Sequence, residues 1–129
     1  KAANATFFSE RNPPEAHFVA DSDGEILGYV RLKPPLDGVP ECDHVMAIHG
    51  LDVSPHARRR GVATALMRAA EQAARSRRAR KLSLRMLATN TEARPLYESL
   101  GYRVEGVLAE EFLIDGEYVD DVLMSLRLT

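Results

Sequence analysis

Arg58-Arg59-Arg60-Gly61-Val62-Ala63 decides how this chain is read, because of what flanks it. Before it runs an apolar, strand-like stretch from Val45 to Val53, closed by the turn Ser54-Pro55-His56-Ala57. After it, apolar residues at Val62, Ala65, Leu66, Ala69, Ala70 and Ala73 recur at i, i+3, i+4 and i+7, which predicts an amphipathic helix over about 58–76. A strand, a basic turn with glycine and a helix N-terminus together make an anion cradle. The first N–H groups of a helix have no intrahelical partner, and the macrodipole adds roughly half a positive charge there. Gly61 and Ala63 leave room for a phosphate to reach the backbone, and the arginines add full charges. The expected ligand carries phosphates.

Downstream, Lys81 to Leu87 alternates Leu82, Leu84 and Met86 on one face with Ser83 and Arg85 on the other, a strand pattern. Strand, helix and strand with these short joints predict a βαβ unit and hence a parallel pair. Thr89-Asn90-Thr91-Glu92 reads as a helix start with a capping box from Thr89 to Glu92. That helix runs to about Leu100 and stops at Gly101, and Pro95 restricts where it begins. Tyr102 to Glu111 and Glu117 to Leu128 read as strands joined by the hairpin signal Asp115-Gly116.

Upstream, residues 1–16 read as irregular, closed by Asn12-Pro13-Pro14. His17 to Ala20 and Glu25 to Leu32 form a strand pair around Asp21-Ser22-Asp23-Gly24, and Pro34 to Pro40 is a loop. The layout is α+β, one domain over 1–129, with its regular core over 17–129.

Composition narrows the function classes. A hydrophobic fraction of 45% and a charged fraction of 28% are those of a globular protein with a real core. No apolar run approaches the roughly 20 residues of a membrane span. The single cysteine, Cys42, precludes an intrachain disulfide and points to a reducing, cytoplasmic setting. Four histidines without paired spacing predict no metal site. The net charge of −2 hides an asymmetry: nine of 17 basic residues lie between Arg58 and Lys81, with Glu71 the only acid. After Gly101, seven acids face only Arg103 and Arg127. Arg75, Arg77, Arg78 and Arg80 read as a solvated helix end. The negative balance and the lack of an aromatic platform argue against nucleic acid.

Two motifs, in order and with a strand between them, carry a resemblance. Arg58, Gly61 and Ala63 match a pattern of Arg or Gln, two residues, Gly, one residue, Gly or Ala. Asn90, Ala93, Leu96-Tyr97-Glu98 and Gly101-Tyr102 match a second, Asn-x-x-Ala followed by Leu-Tyr-Glu-x-x-Gly-Tyr. Over roughly residues 17 to 129 the chain resembles the GCN5-related N-acetyltransferases (GNAT), which move an acetyl group from acetyl-coenzyme A to an amine. The ending Glu111 to Asp120 is similar to bacterial members that acetylate amino acids, small amines or protein N-termini.

The resemblance implies a mixed, mostly antiparallel sheet with a parallel pair splayed around the cofactor and helices on both faces. It also implies an N-terminal helical part for which the first sixteen residues have no counterpart. Backbone amides of Arg59, Arg60, Gly61, Val62, Ala63 and Thr64, with Arg58, would hold the pyrophosphate of acetyl-CoA. The strand edge at Leu51, Asp52 and Val53 would pair with the pantetheine arm, with Asn90 and Ala93 on its other side and Tyr97 aimed at the sulfur. Asn90 and Tyr97 are seven apart, two helical turns, and so share a face whatever the family. The resemblance also leaves room for a homodimer through the C-terminal strands.

Acetyl transfer asks for three things: a deprotonated amine, a stabilised carbonyl oxygen and a leaving thiolate. At pH 7 only about one part in a thousand of an alkylammonium is free amine, so a base or a water chain helps. A backbone N–H near Val53 would bond the developing oxyanion. Tyr97 is the candidate general acid; its other reading is a core ring beside Leu96 and Leu100. His49 is the candidate base, since the glutamate that some members carry on this strand falls at Ala47. Strict alternation places His49 on one face with Ala47, Leu51 and Val53, and a structural histidine is its alternative. Glu110 and Glu111 read either as an acceptor-pocket wall or as an exposed pair. For the whole chain, a coenzyme A-binding module without catalysis is the alternative to an active enzyme.

Overall fold

The computed structural model describes residues 4–7, 16–22, 24–36, 38–58 and 61–128. Among these residues seven strands form one sheet in the order β1-β2-β3-β4-β5-β7-β6. They are β1 (Asn4–Phe7), β2 (Ala16–Ser22), β3 (Glu25–Lys33), β4 (Val45–Val53), β5 (Lys81–Leu87), β6 (Arg103–Ile114) and β7 (Glu117–Arg127). Helix α1 (Val62–Ser76) joins β4 to β5, and α2 (Ala93–Ser99) joins β5 to β6. Every neighbouring pair is antiparallel except β4 and β5. The α+β class and the βαβ unit therefore stand as read.

Asn4–Phe7 departs from the reading of the first residues as irregular. It pairs with β2 from Asn4↔Asp21 to Phe7↔Phe18 as the edge of the sheet. Four residues carry too little alternation to announce a strand; the ladder of β2 supplies the hydrogen bonds that make it one.

α1 buries Val62, Leu66, Met67, Ala70 and Ala74, which pack against β2, β3 and β4. The apolar face is thus turned slightly from the predicted one: Ala65 and Ala73 are half-buried, while Met67 and Ala74 are inside. Alanine lines much of the helix, so the bulk of Leu66 and Met67 chooses the face. α1 ends in a left-handed residue, Arg78 at φ 62°. Ala79 N–H then reaches Ala74 O at 3.0 Å and Arg78 N–H reaches Arg75 O at 2.9 Å, the paired bonds of a Schellman cap. Arg75 also donates to Leu128 O at 2.6 Å, tying the helix end to the end of the sheet. α2 contributes Tyr97 to the same buried cluster that receives α1.

The parallel pair is short. β4 and β5 share only Val45↔Lys81, Met46↔Leu82 and Ala47↔Ser83. Beyond these rungs β4 stays with β3 and β5 stays with β7, so a gap opens in mid-sheet. The cause is local. In β4, Ile48 faces Leu32 and Gly50 faces Arg31, which leaves His49 as an extra residue. Such a bulge bends its strand and steepens the twist. It also shifts the alternation, because a one-residue slip moves every later side chain to the other face. Leu51 and Val53 lie opposite Val30 and Gly28 and pack on the core, not on the face of Ala47. The grouping of His49 with Leu51 and Val53 is corrected accordingly.

Candidate active site

Two clefts occupy the gap. The larger, about 830 Å³, runs from the end of β4 over the start of α1 to the start of α2. Leu51, Asp52 and Val53 form one wall, and Arg58, Gly61, Val62, Ala63 and Thr64 form its end. Asn90, Ala93 and Tyr97 close the other side. Every described residue expected around the cofactor is therefore in one cleft; Arg59 and Arg60 lie outside the described residues.

The chemistry of this cleft follows from its backbone. A single turn of 3-10 helix, Pro55–Ala57, leads to Gly61, which caps α1 in a left-handed conformation at φ 79°. The first bond of α1 runs from Ala65 N–H to Gly61 O at 3.0 Å. The N–H groups of Val62, Ala63 and Thr64 consequently have no intrahelical acceptor, and these residues line the cleft. Along the side, the β4–β5 register ends at Ala47, and β4 lines the cleft at Leu51, Asp52 and Val53.

Asn90 is placed by its own hydrogen bond. Its Oδ1 accepts from Ala93 N–H at 3.2 Å, so Asn90, not Thr89, closes the first turn of α2. The expected capping box is absent: Glu92 occupies the cap position and makes no side-chain bond to the turn. Pro95 sits in the first turn, where its missing N–H costs nothing.

Tyr97 is 8% exposed, and its remaining surface lies where the two clefts meet. Burial pushes its phenol above the ordinary range near 10, so the hydroxyl keeps its proton at neutral pH. It is both a core ring and a cleft residue.

The second cleft, about 660 Å³, lies on the other side of the gap. His49, Gly50 and Leu51 line it from β4, and Lys81, Ser83 and Arg85 from β5. Cys42 and Leu36 border it from the loop before β4, and Glu105 from β6. Leu51 and Tyr97 belong to both clefts. His49 is exposed and faces this second space, not the first. Lys81 Nζ and Glu105 Oε2 are 3.0 Å apart, and this pairing holds the Glu105 carboxyl below its usual range. Arg85 bonds Asp121, with Nε to Oδ2 at 2.7 Å.

Several lining residues were not among the expected site residues: Pro55, Ala57, Glu92 and Leu96 in the first cleft, and Arg85, Lys81 and Glu105 in the second. Leu96 was within reach, three positions from Ala93 on one helix face. Arg85 and Lys81 showed only as the polar face of a strand. Glu110 and Glu111 line neither cleft. They sit in a bulge where Leu108 faces Asp121 and Phe112 faces Val119, and Glu110 N–H donates to Asp120 Oδ1 at 2.8 Å. Among the described residues no three His, Cys, Asp or Glu side chains converge as a metal site.

The sequence model of the acetyltransferase (GNAT) family matches residues 2–102. The chain belongs to this family. It is 34% identical over 84 residues to the uncharacterized N-acetyltransferase YhfO of Bacillus subtilis, covering 65% of this chain and 56% of that protein. It is 32% identical over 114 residues to the L-amino acid N-acetyltransferase AaaT of Escherichia coli, covering 88% of this chain and 68% of that one. This GNAT chain thus spans between about half and two thirds of the length of these curated relatives. The structure of a GCN5-related N-acetyltransferase from Kribbella flavida superposes with a TM-score of 0.81 at 32% identity, covering 93% of this chain and 71% of that one. No helix among the described residues is long and apolar enough to cross a membrane.

Proposed function

We propose that the protein is an N-acetyltransferase that moves the acetyl group of acetyl-CoA to a primary amine by direct attack in a ternary complex. One observation carries the reading: two clefts enter the sheet from opposite sides and share Leu51 and Tyr97. Donor and acceptor held in them meet there, and holding two reactants in register removes much of the entropic barrier.

In this reading the pyrophosphate rests on the free N–H groups of Val62, Ala63 and Thr64, with Arg58 beside it. The pantetheine arm pairs with the edge of β4 at Leu51 to Val53. Asn90, whose Oδ1 is engaged with Ala93, offers its amide N–H groups to that arm. The acceptor enters past His49 and Arg85. Its ammonium loses a proton to His49 directly or through water, and the amine attacks the thioester carbonyl. The C–N bond forms, the C–S bond breaks, the Tyr97 hydroxyl gives its proton to the departing thiolate, and the proton that the nitrogen sheds on becoming an amide returns to Tyr97 through water. Burial keeps Tyr97 protonated, so the hydroxyl has a proton to give.

The acceptor class is an amino acid, a small amine or a protein N-terminus, in line with the amino-acid activity in the name of the E. coli relative. Exposed Val107, Leu113 and Tyr118 along β6 and β7 suit a homodimer through the C-terminal strands, and the lone cysteine suits the cytoplasm. The test is thiol release from acetyl-CoA with a panel of amines. Amine-dependent release supports the reading; coenzyme A binding with no release for any amine supports a binding module instead.

A further inference from the structure

The proposed function leaves the acceptor class broad, and the second cleft narrows it. Its charged lining among the described residues is His49, Lys81, Arg85 and Glu105. Lys81 and Glu105 neutralise each other at 3.0 Å. No unpaired acid remains there to receive a polycationic acceptor.

Arg85 is different. It lies in β5 next to the open end of the gap, with its side chain 58% exposed, while the Asp121 side chain is 3% exposed. Asp121 holds Nε and Nη2 of the guanidinium from beneath, both on Oδ2. A buried carboxylate without a partner is costly, so Asp121 keeps Arg85 at this spot. A guanidinium has five N–H donors in a rigid plane and can serve a second carboxylate on its outer edge. Asp121 fixes the fork in advance, which cuts the cost of ordering a long side chain when a ligand arrives.

We infer that Arg85, positioned by Asp121, anchors a carboxylate of the acceptor, so that the substrate is an amino-carboxylate such as a free amino acid. The inference rests on the acyl-transfer reading for its amine and on the Arg85–Asp121 geometry for its carboxylate. The carboxylate lies on Arg85 while the amine reaches the junction at Leu51 and Tyr97, and the cleft that joins them sets the spacing.

The experiment compares amino acids of α, β and γ type with their amides and with the matching amines that lack the carboxyl. Two readouts run side by side: thiol release from acetyl-CoA, and calorimetric binding of the acceptor to the coenzyme A complex. The variants are Arg85→Gln and the double variant Arg85→Gln/Asp121→Asn, which leaves no buried charge unpaired. The expected result is a preference of at least about tenfold for the carboxylate-bearing member of one series, lost in both variants through KM and affinity, so that acid, amide and amine become equivalent acceptors. Carboxylate binding that depends on Arg85 without turnover upholds this site and rejects the acyl-transfer reading. Equal use of acid, amide and amine, or a preference that survives in the double variant, overturns the site and leaves acyl transfer standing. Binding of no acceptor series also overturns it.

Discussion

Tyr102 donates its backbone N–H to the carbonyl of Tyr97 at 3.0 Å, and the two rings pack 6.1 Å apart at 56°. The bond closes α2: with Gly101 N–H on Glu98 O at 3.0 Å it forms a Schellman cap, in which the residue after glycine packs on the last turn. Gly101 supplies the left-handed step at φ 102°. The helix end therefore locks the ring that stands between the clefts. The Leu-Tyr-Glu-x-x-Gly-Tyr pattern is, in physical terms, a tyrosine and the cap that aims it.

The Tyr102 hydroxyl is buried and has no hydrogen-bond partner among the described residues. Burial first, then the nearby Glu71, pushes its pKa well above the ordinary value. A phenol shifted this way costs the fold no stability by titration below about pH 10, and stability falls as pH rises from there toward its folded pKa, because the unfolded chain ionises first. Tyr102→Phe is expected to leave stability at neutral pH unchanged or raise it by about 1 kcal/mol, and to flatten the alkaline loss. Urea unfolding at neutral pH and just above about pH 10 checks both; a clear loss at neutral pH would show the hydroxyl to be bonded.

Gly28 lies in β3 where the backbone of β4 comes close. A Cβ there would stand 2.6 Å from Asp52 O and 3.2 Å from Val53 Cα, both main-chain atoms held in the ladder. Gly28→Ala is therefore expected to cost about 1–3 kcal/mol, as overpacking does, and to shift the strand edge proposed to hold the pantetheine arm. A fall in the urea midpoint together with weaker acetyl-CoA binding is the expected pair of results. An unchanged midpoint would mean that the strands yield.

Asn90 has two separable duties. Its Oδ1 accepts from Ala93 N–H, and its amide N–H groups are proposed to reach the cofactor. Asn90→Asp keeps the acceptor at a helix start and removes the donors, so stability should hold within about 0.5 kcal/mol while the KM for acetyl-CoA rises several-fold. Asn90→Ala removes both and should add a loss of about 1 kcal/mol. Equal kinetics in wild type and Asn90→Asp would confine Asn90 to capping.

Much of this was legible in the chain. The helix after Gly61, the βαβ unit and the hairpin at Asp115-Gly116 follow from periodicity and turn chemistry, which are local. That the expected cofactor-side residues line one cleft was legible because the strand end and helix N-terminus are contiguous in sequence; Asn90, though, lies before α2 and not on one helix face with Tyr97. What stayed hidden depends on pairing between distant segments. The bulge at His49 exists only against Arg31 and Leu32, and strict alternation misplaced Leu51 and Val53 for that reason. Arg85 and Asp121 are 36 residues apart, and no local pattern joins them. The edge strand Asn4–Phe7 owes its form to β2.

In the proposed reaction Tyr97 stands at the meeting point of donor and acceptor and protonates the leaving thiolate. Amine-dependent thiol release from acetyl-CoA by wild type and Tyr97→Phe tests it most directly, with acetyl-CoA affinity measured alongside. A kcat lowered by about 100-fold or more is expected in Tyr97→Phe, with affinity for acetyl-CoA within about twofold. Full turnover in Tyr97→Phe, with the same pH dependence as wild type, would contradict it.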